Sequence, residues 1–354
     1  MKKIFVLLIL SITSFIFYSS YLSRPVFDSN ESEQAGKISI ASIEKGLTLA
    51  RDSSGDIYLL TEANEQTLQG INLSEIYNQQ YPDALQAYKF LGKETLVALY
   101  HSAQSAPLAW SQLSTPIMGH SQHIAVGTNY QAHAKEVGLD GIPFLFPKLS
   151  TPTTWNSAVT AGTRLDHEVE LCALPINDYH RGDLINVAYI LCGDFTDRWT
   201  LVKNIKLSGE MGKTGFVDAK GGESHLPLGP FLLIPHHVDL VADIELSLYV
   251  NQQKRQQAKI SQMVWSFSNI LDHVLDDCQS AYQSLKGHIS IIDNCQNIPA
   301  GTIVLTGTPE GVMFNPATLW NPYFYLQPND QINSYGTYLG KITNNVEQPL
   351  SLEN

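Results

Sequence analysis

Acidic residues stand in this chain where the core of a β-sheet is expected. Asp166-His167-Glu168-Val169-Glu170 leads into an apolar strand-like run, and Val187-Ala188-Tyr189-Ile190-Leu191-Cys192 ends in Gly193-Asp194-Phe195-Thr196-Asp197-Arg198. On a strand, residues two apart share a face. Glu168 and Glu170 would then project together, with Val169 opposite, and Asp194 would close the next core strand. Two carboxylates held side by side repel, and their burial is costly unless a cation lies between them. Three carboxylates make an all-oxygen donor set, which suits Mg²⁺, Mn²⁺ or Ca²⁺ better than zinc or copper. Taken alone, the pattern also fits a solvated strand edge carrying ordinary surface acids.

The rest of the chain narrows the choice. Its 354 residues suffice for two domains, or for one large domain with a small appendage. Hydrophobic residues make up 44% and charged residues 16%, a core-building composition. A formal charge of −12 argues against nucleic acid and anionic membranes as general partners, but leaves room for an anionic substrate beside a bound cation. The four cysteines form no C-x-x-C pair, so a zinc site has no support. Cys172 and Cys192 read as buried thiols in strands, and Cys278 and Cys295 as a pair that an oxidising compartment could join. No G-x-G-x-x-G and no Walker loop is present, so nothing supports nucleotide binding.

In chain order, Lys2 and Lys3 precede the apolar run 4–18, the form of an export signal, either cleaved or retained as an anchor. This reading assigns 1–24 to the signal or anchor and 25–36 to a polar linker. It places the folded part in the periplasm or on the outer face of an inner membrane. Lys37–Glu44 reads as a strand, Thr48–Asp52 and Ile57–Leu60 as a hairpin, and Asn72–Tyr77 and Asp83–Leu91 as helices. Residues 37–115 thus suggest a small β-rich N-terminal domain before a larger unit, 116–350. In Tyr130-Gln131-Ala132-His133-Ala134-Lys135-Glu136, His133 and Glu136 are neighbours if the segment turns as a helix. A carboxylate beside an imidazole orients the ring and makes it a better proton acceptor, as a general base requires; an exposed surface pair is the alternative. Val241–Val250 and Gln253–Ile260 read as a hairpin about Asn251-Gln252, and Ser266–Leu285 as one amphipathic helix stopped at Gly287. Thr306-Gly307-Thr308-Pro309-Glu310-Gly311 is a turn that could face an anion. Gly119-His120-Ser121-Gln122-His123 lacks the second glycine of a nucleophile elbow and is set aside.

The order of these motifs resembles the fumarylacetoacetate hydrolase family over roughly residues 120–345. G-x-N-Y-x-x-H-x-x-E comes first. An F-x-K strand, D-x-E-V-E-L and a strand ending in Asp follow, then K-(x)6-P-L-G-P and P-x-G-x-(x)3-T-G-T-P-x-G-V. The resemblance implies an α+β, mainly β fold with a rolled mixed sheet. It also implies a divalent metal, Mg²⁺ or Mn²⁺, on Glu168, Glu170 and Asp194. It implies a His133–Glu136 base pair, Lys220 as a catalytic cation, substrate contacts from Tyr130, Arg198, Gly307 and Thr308, and a homodimer acting on small oxo-acids. The chain departs from the family pattern at Asp197, Trp199 and Gly221-Gly222, and 200–217 and 276–296 look longer than is common. The expected activity is hydrolysis of a C–C bond in an acylpyruvate-like acid. Decarboxylation, isomerisation or dehydration of a 2-oxo acid on the same site is the alternative. A non-catalytic exported binding protein is a third reading.

Overall fold

A computed structural model describes residues 2–22, 38–118, 122–315 and 317–349. The linker 25–36 and Gly119-His120-Ser121 lie outside the described residues.

The fold is α+β and mainly β. Its centre is an eleven-stranded mixed sheet. Val169–Pro175 and Val187–Gly193 are antiparallel neighbours in its middle, with every residue of both strands buried. Runs apolar on both faces occupy the interior of a covered sheet. Beyond Val169–Pro175 lies the short strand Val304–Leu305, which runs parallel to His123–Gly127; Phe144–Lys148 forms that edge. On the other side Leu232–Pro235 joins Val187–Gly193 to Gly46–Asp52. The Gly46–Asp52/Ile57–Ala63 hairpin therefore continues the central sheet. A second, five-stranded sheet includes Glu245–Val250, Gln253–Lys259, Gln331–Gly336 and Gly340–Glu347, and packs on the central strands. Its first hairpin turns at Asn251 and Gln252, both at positive φ (49° and 69°), as a tight two-residue turn needs.

Three local expectations change. The expected strand Lys37–Glu44 does not form over its described residues, 38–44. Within its described part, Ile38, Ala41 and Ile43 are buried, but the backbone turns at Ser42, whose carbonyl accepts the amides of Lys45 and Gly46. The alternation of apolar residues is therefore packing without a ladder. The helix from Ser266 is capped by its own side chain and Asn269 but spans Phe267–Asp277, and Tyr282–Ser284 and Gly287–Ile289 follow as a hairpin. Buried Tyr282 mimics the next helical position. Cys172 and Cys192 are not thiols but a disulfide joining the two central strands. Cys278 and Cys295 form a second disulfide.

The N-terminal run is helical over Lys2–Leu22, with its large apolar side chains from Ile4 to Tyr18 exposed. No helix among the described residues is long and apolar enough to cross a membrane.

Candidate active site

The two central strands deliver the carboxylates. In their register Val169 faces Gly193, so Glu168 and Asp194 stand opposite each other just beyond it, joined by the Asp194 amide donating to the Glu168 carbonyl at 2.9 Å. Glu170 is one pleat inward. Carboxyl oxygens of Glu168, Glu170 and Asp194 lie within 4.8 Å of one another, and all three residues are buried. The strand-based expectation of convergence is met.

Cations surround the triad. Lys220 Nζ donates to Glu168 Oε2 and Asp194 Oδ2, each at 2.6 Å. Lys148 Nζ, with no exposed surface, donates to Asp194 Oδ1 at 2.6 Å and to the Lys220 carbonyl at 2.8 Å. Arg198 bridges Asp166 Oδ2 at 2.8 Å and Glu168 Oε1 at 2.5 Å. Asp166 is itself fixed by the Met313 and Phe314 amides. The cluster holds four carboxyls, of Asp166, Glu168, Glu170 and Asp194, and three cations, of Lys148, Lys220 and Arg198. One negative charge is in surplus if all ionise.

That surplus falls on Glu170. Burial, then the charges of Asp194 and Glu168, push its carboxyl well above the usual range; Lys220 and the Gly307 amide pull back only in part. Burial would raise Asp194 too, but Lys148 and Lys220 hold it low. Burial would also raise Asp166, and Arg198 outweighs it. Lys220 is driven up by Asp194 and Glu168 against the effect of burial, whereas for Lys148 burial prevails and the ammonium is held below its ordinary value.

A divalent cation fits this donor set. The oxygens are hard, they converge, and each carboxylate oxygen already bonded to a lysine, Arg198 or Gly307 retains a second lone pair. A cation would remove the repulsion that now raises Glu170.

His133 is 6% exposed and its Nδ1 is 3.2 Å from Glu136 Oε2. Glu136 is anchored by the Gly311 amide, 3.0 and 3.1 Å from its two oxygens. Nε2 of His133 is left for the cavity that His133, Glu168, Glu170, Lys220 and Thr308 line together. His133 of the expected base pair and Glu168 and Glu170 of the triad thus share one cavity of about 470 Å³, with Glu136 and Asp194 behind them.

The 306–311 turn explains its own glycines. Gly307 (φ +100°) donates its amide to Glu170 Oε2 at 2.7 Å, and a Cβ there would meet Asn129 Cβ at 2.8 Å. At Gly311 (φ +107°) a Cβ would lie 1.7 Å from the Arg255 carbonyl oxygen. Thr308 Oγ1 donates to the Val169 carbonyl and accepts from Gln256. Gly307, Thr308 and Arg198 therefore brace the carboxylate strand, whatever they also offer a substrate. Tyr130 is 2% exposed, and its hydroxyl has no hydrogen-bond partner among the described residues; burial and then the charge of Glu170 raise its pKa.

Several residues escaped the sequence reading. Lys148 was visible as the end of a strand but not as a partner of Asp194. Asp166 stood in the acidic motif without its Arg198 contact. Gln256 accepts from the Val169 amide and donates to Thr308, tying the second sheet to the site. Asn129 accepts from the Trp265 amide and donates to the Thr306 carbonyl, fixing the loop before His133.

A buried cluster of three carboxylates and a histidine–glutamate pair at one cavity make a donor set that suits a divalent metal. The chain belongs to the fumarylacetoacetate hydrolase family: the family model for the fumarylacetoacetate (FAA) hydrolase C-terminal region matches residues 122–347. It is an enzyme of that family. It is 28% identical over 210 residues to 2,4-didehydro-3-deoxy-L-rhamnonate hydrolase of a Sphingomonas species, covering 56% of this chain and 64% of that one. An uncharacterised protein of Pyrococcus horikoshii is 27% identical over 200 residues, 53% of this chain and 76% of that one. Among solved structures, fumarylacetoacetate hydrolase of Exiguobacterium antarcticum superposes with a TM-score of 0.61 at 20% identity, covering 86% of this chain and all of that one. Maleylpyruvate hydrolase of a Sphingobium species does so with 0.56 at 21% identity, covering 85% of this chain and all of that one.

Proposed function

We propose that this enzyme hydrolyses a C–C bond in an acylpyruvate-type 2,4-dioxo acid and requires a divalent metal for it. The observation that carries the reading is that His133, held by Glu136, and Glu168 and Glu170, clustered with Asp194, line the same cavity. Glu168, Glu170 and Asp194 would hold Mg²⁺ or Mn²⁺, with Ca²⁺ a third candidate. The bound metal supplies Lewis-acid polarisation and neutralises the acid substrate. His133 accepts a proton from water at Nε2, while Glu136 holds Nδ1 and stabilises the imidazolium that results. The hydroxide so formed adds to the distal carbonyl. Lys220 spends two of its three N–H donors on Glu168 and Asp194, and the third faces the developing oxyanion. Collapse of the adduct breaks the C–C bond, releasing the acyl group as a carboxylic acid. The pyruvate half leaves as an enolate, which takes up a proton. Tyr130, Arg198, Gly307 and Thr308 position the substrate or the carboxylates that receive it.

We further propose that the enzyme is exported, to the periplasm or the outer face of the inner membrane, and acts as a homodimer. The lysine-led apolar N-terminus and the two disulfides support export, since disulfides persist in oxidising compartments. The dimer rests on the family resemblance alone. Light scattering and localisation of the native protein test these points. For the reaction, Glu168→Ala is expected to lose both bound metal and turnover. Product identification across a panel of 2-oxo acids separates hydrolysis from decarboxylation, isomerisation and dehydration. Turnover by a metal-free Glu168→Ala enzyme would refute the scheme.

A further inference from the structure

The cavity is far more apolar than the chemistry at its base requires. Besides His133, Lys220, Glu168 and Glu170, it is lined by Leu201, Val202, Ile205, Leu207, Met211 and Phe216, which make one apolar wall in sequence. These six come from the helix Arg198–Asn204, the connection after it, and the start of the helix Phe216–Lys220. They fall in 200–217, the stretch that looks extended beside the family pattern.

That wall offers nothing to a charge. Besides His133, the basic groups lining the cavity are Arg198 and Lys220, both at the triad and both bonded to carboxylates there. A second carboxylate lying along those six side chains would meet aliphatic carbon, and the lining holds no further cation for it. Leu207 is 80% exposed at the rim, so the apolar surface continues to the outside. The cavity also exceeds a short acid in size. At roughly 30 Å³ per group, water's share of liquid volume, it takes about fifteen non-hydrogen atoms, against roughly nine for acetylpyruvate.

We propose that the substrate is an oxo-acid with a long apolar acyl tail, of roughly six to eight carbons by the same volume, whose tail lies along the 201–216 wall. This rests on the proposed reaction for its head group, but the tail is separately testable. An apolar tail gains with each methylene it removes from water. The wall has no second duty that the described contacts reveal in the acid–base chemistry, since none of its six residues carries a titratable group.

The test uses the purified full chain with Mn²⁺ and straight-chain acylpyruvates from acetyl to octanoyl, with fumarylpyruvate as the acid bearing a distal carboxylate. kcat/KM is expected to rise about fourfold per methylene, with fumarylpyruvate below acetylpyruvate. Turnover that is flat or falls with tail length, or that favours fumarylpyruvate, overturns the proposal. In parallel, the thermal shift given by pyruvate is compared with that given by 2-oxodecanoate. If no acylpyruvate is hydrolysed but 2-oxodecanoate stabilises far more than pyruvate, the proposed reaction fails and the tail site stands. If pyruvate stabilises equally, the tail site fails. Val202→Lys, at an exposed position, is expected to lower the octanoyl-to-acetyl ratio of kcat/KM at least tenfold; an unchanged ratio counts against the wall as the tail's seat.

Discussion

Lys148→Met removes one cation from a buried cluster that already carries surplus negative charge. The ammonium it replaces has no exposed surface and is 2.6 Å from Asp194 Oδ1 and 2.8 Å from the Lys220 carbonyl. Methionine fills much of the space but donates nothing, so Asp194 keeps Lys220 as its one ammonium partner. Breaking a buried ion pair from one side costs about 3–5 kcal/mol, because the remaining charge stays desolvated. The unfolding entropy is roughly 2.1 cal/mol/K per residue. Over 354 residues each kcal/mol then moves Tm by a little over 1 °C, for an expected fall of about 4–7 °C with chelator present. Saturating Mn²⁺ returns positive charge beside Asp194 and should shrink the deficit to less than half. Asp194→Asn removes the stranded charge, so Lys148→Met in that background should be nearly neutral. Differential scanning fluorimetry of the variants, each with EDTA and with Mn²⁺, reads all of this. A deficit under about 1 °C, or one equal with and without metal, refutes the charge account.

Glu170 carries a pH signature. Its carboxyl is raised by burial and by Asp194 and Glu168, so the metal-free folded state holds a proton that the unfolded chain releases near 4.5. Its contribution to stability is therefore present below that value and lost as pH rises through the folded pKa, at up to about 1.4 kcal/mol per pH unit. His167 and His225, held neutral by burial with pKa values of about 4 and about 3, add the opposite slope below 6.5. Subtracting the Glu170→Gln profile from wild type, both in EDTA, isolates the Glu170 term; a positive difference slope contradicts it. Glu170→Gln should also weaken Mn²⁺ binding by at least about 100-fold, read by calorimetry. Gly311→Ala places a Cβ 1.7 Å from the Arg255 carbonyl and displaces the amide that anchors Glu136, so kcat should fall at least about tenfold while Mn²⁺ still binds. Cys172→Ser/Cys192→Ser opens a 20-residue loop and should cost about 3 kcal/mol in a denaturant melt.

The residues that the sequence made legible are those set by local rules. Glu168 and Glu170 share a strand face, Asp194 ends a core strand, and His133 and Glu136 are three apart on one turn; each needs only a periodicity. Lys148 is 46 residues from Asp194, and their contact depends on how the strand ending at Lys148 is folded over the central pair. Such long-range pairing is not a local property. The Cys172–Cys192 disulfide was hidden for a related reason. Each cysteine sits in an apolar run typical of a buried thiol, and the register that brings them together, Glu170 opposite Cys192, is visible only once the strands are aligned. The overlong helix after Ser266 shows a limit of periodicity, because Tyr282 is buried in a hairpin at a position that a continuing helix would also bury. The hairpin of 48–60 was legible, but the strand Leu68–Asn72 beside it and their place in the central sheet were not, since Leu232–Pro235, far along the chain, makes the joint.

Anomalous diffraction from crystals grown with Mn²⁺ bears most directly on the site. One peak is predicted, bounded by oxygens of Glu168, Glu170 and Asp194, with the His133 imidazole facing it across the cavity. A peak elsewhere, or none at saturating Mn²⁺ in an enzyme that still turns over its substrate, would contradict the account.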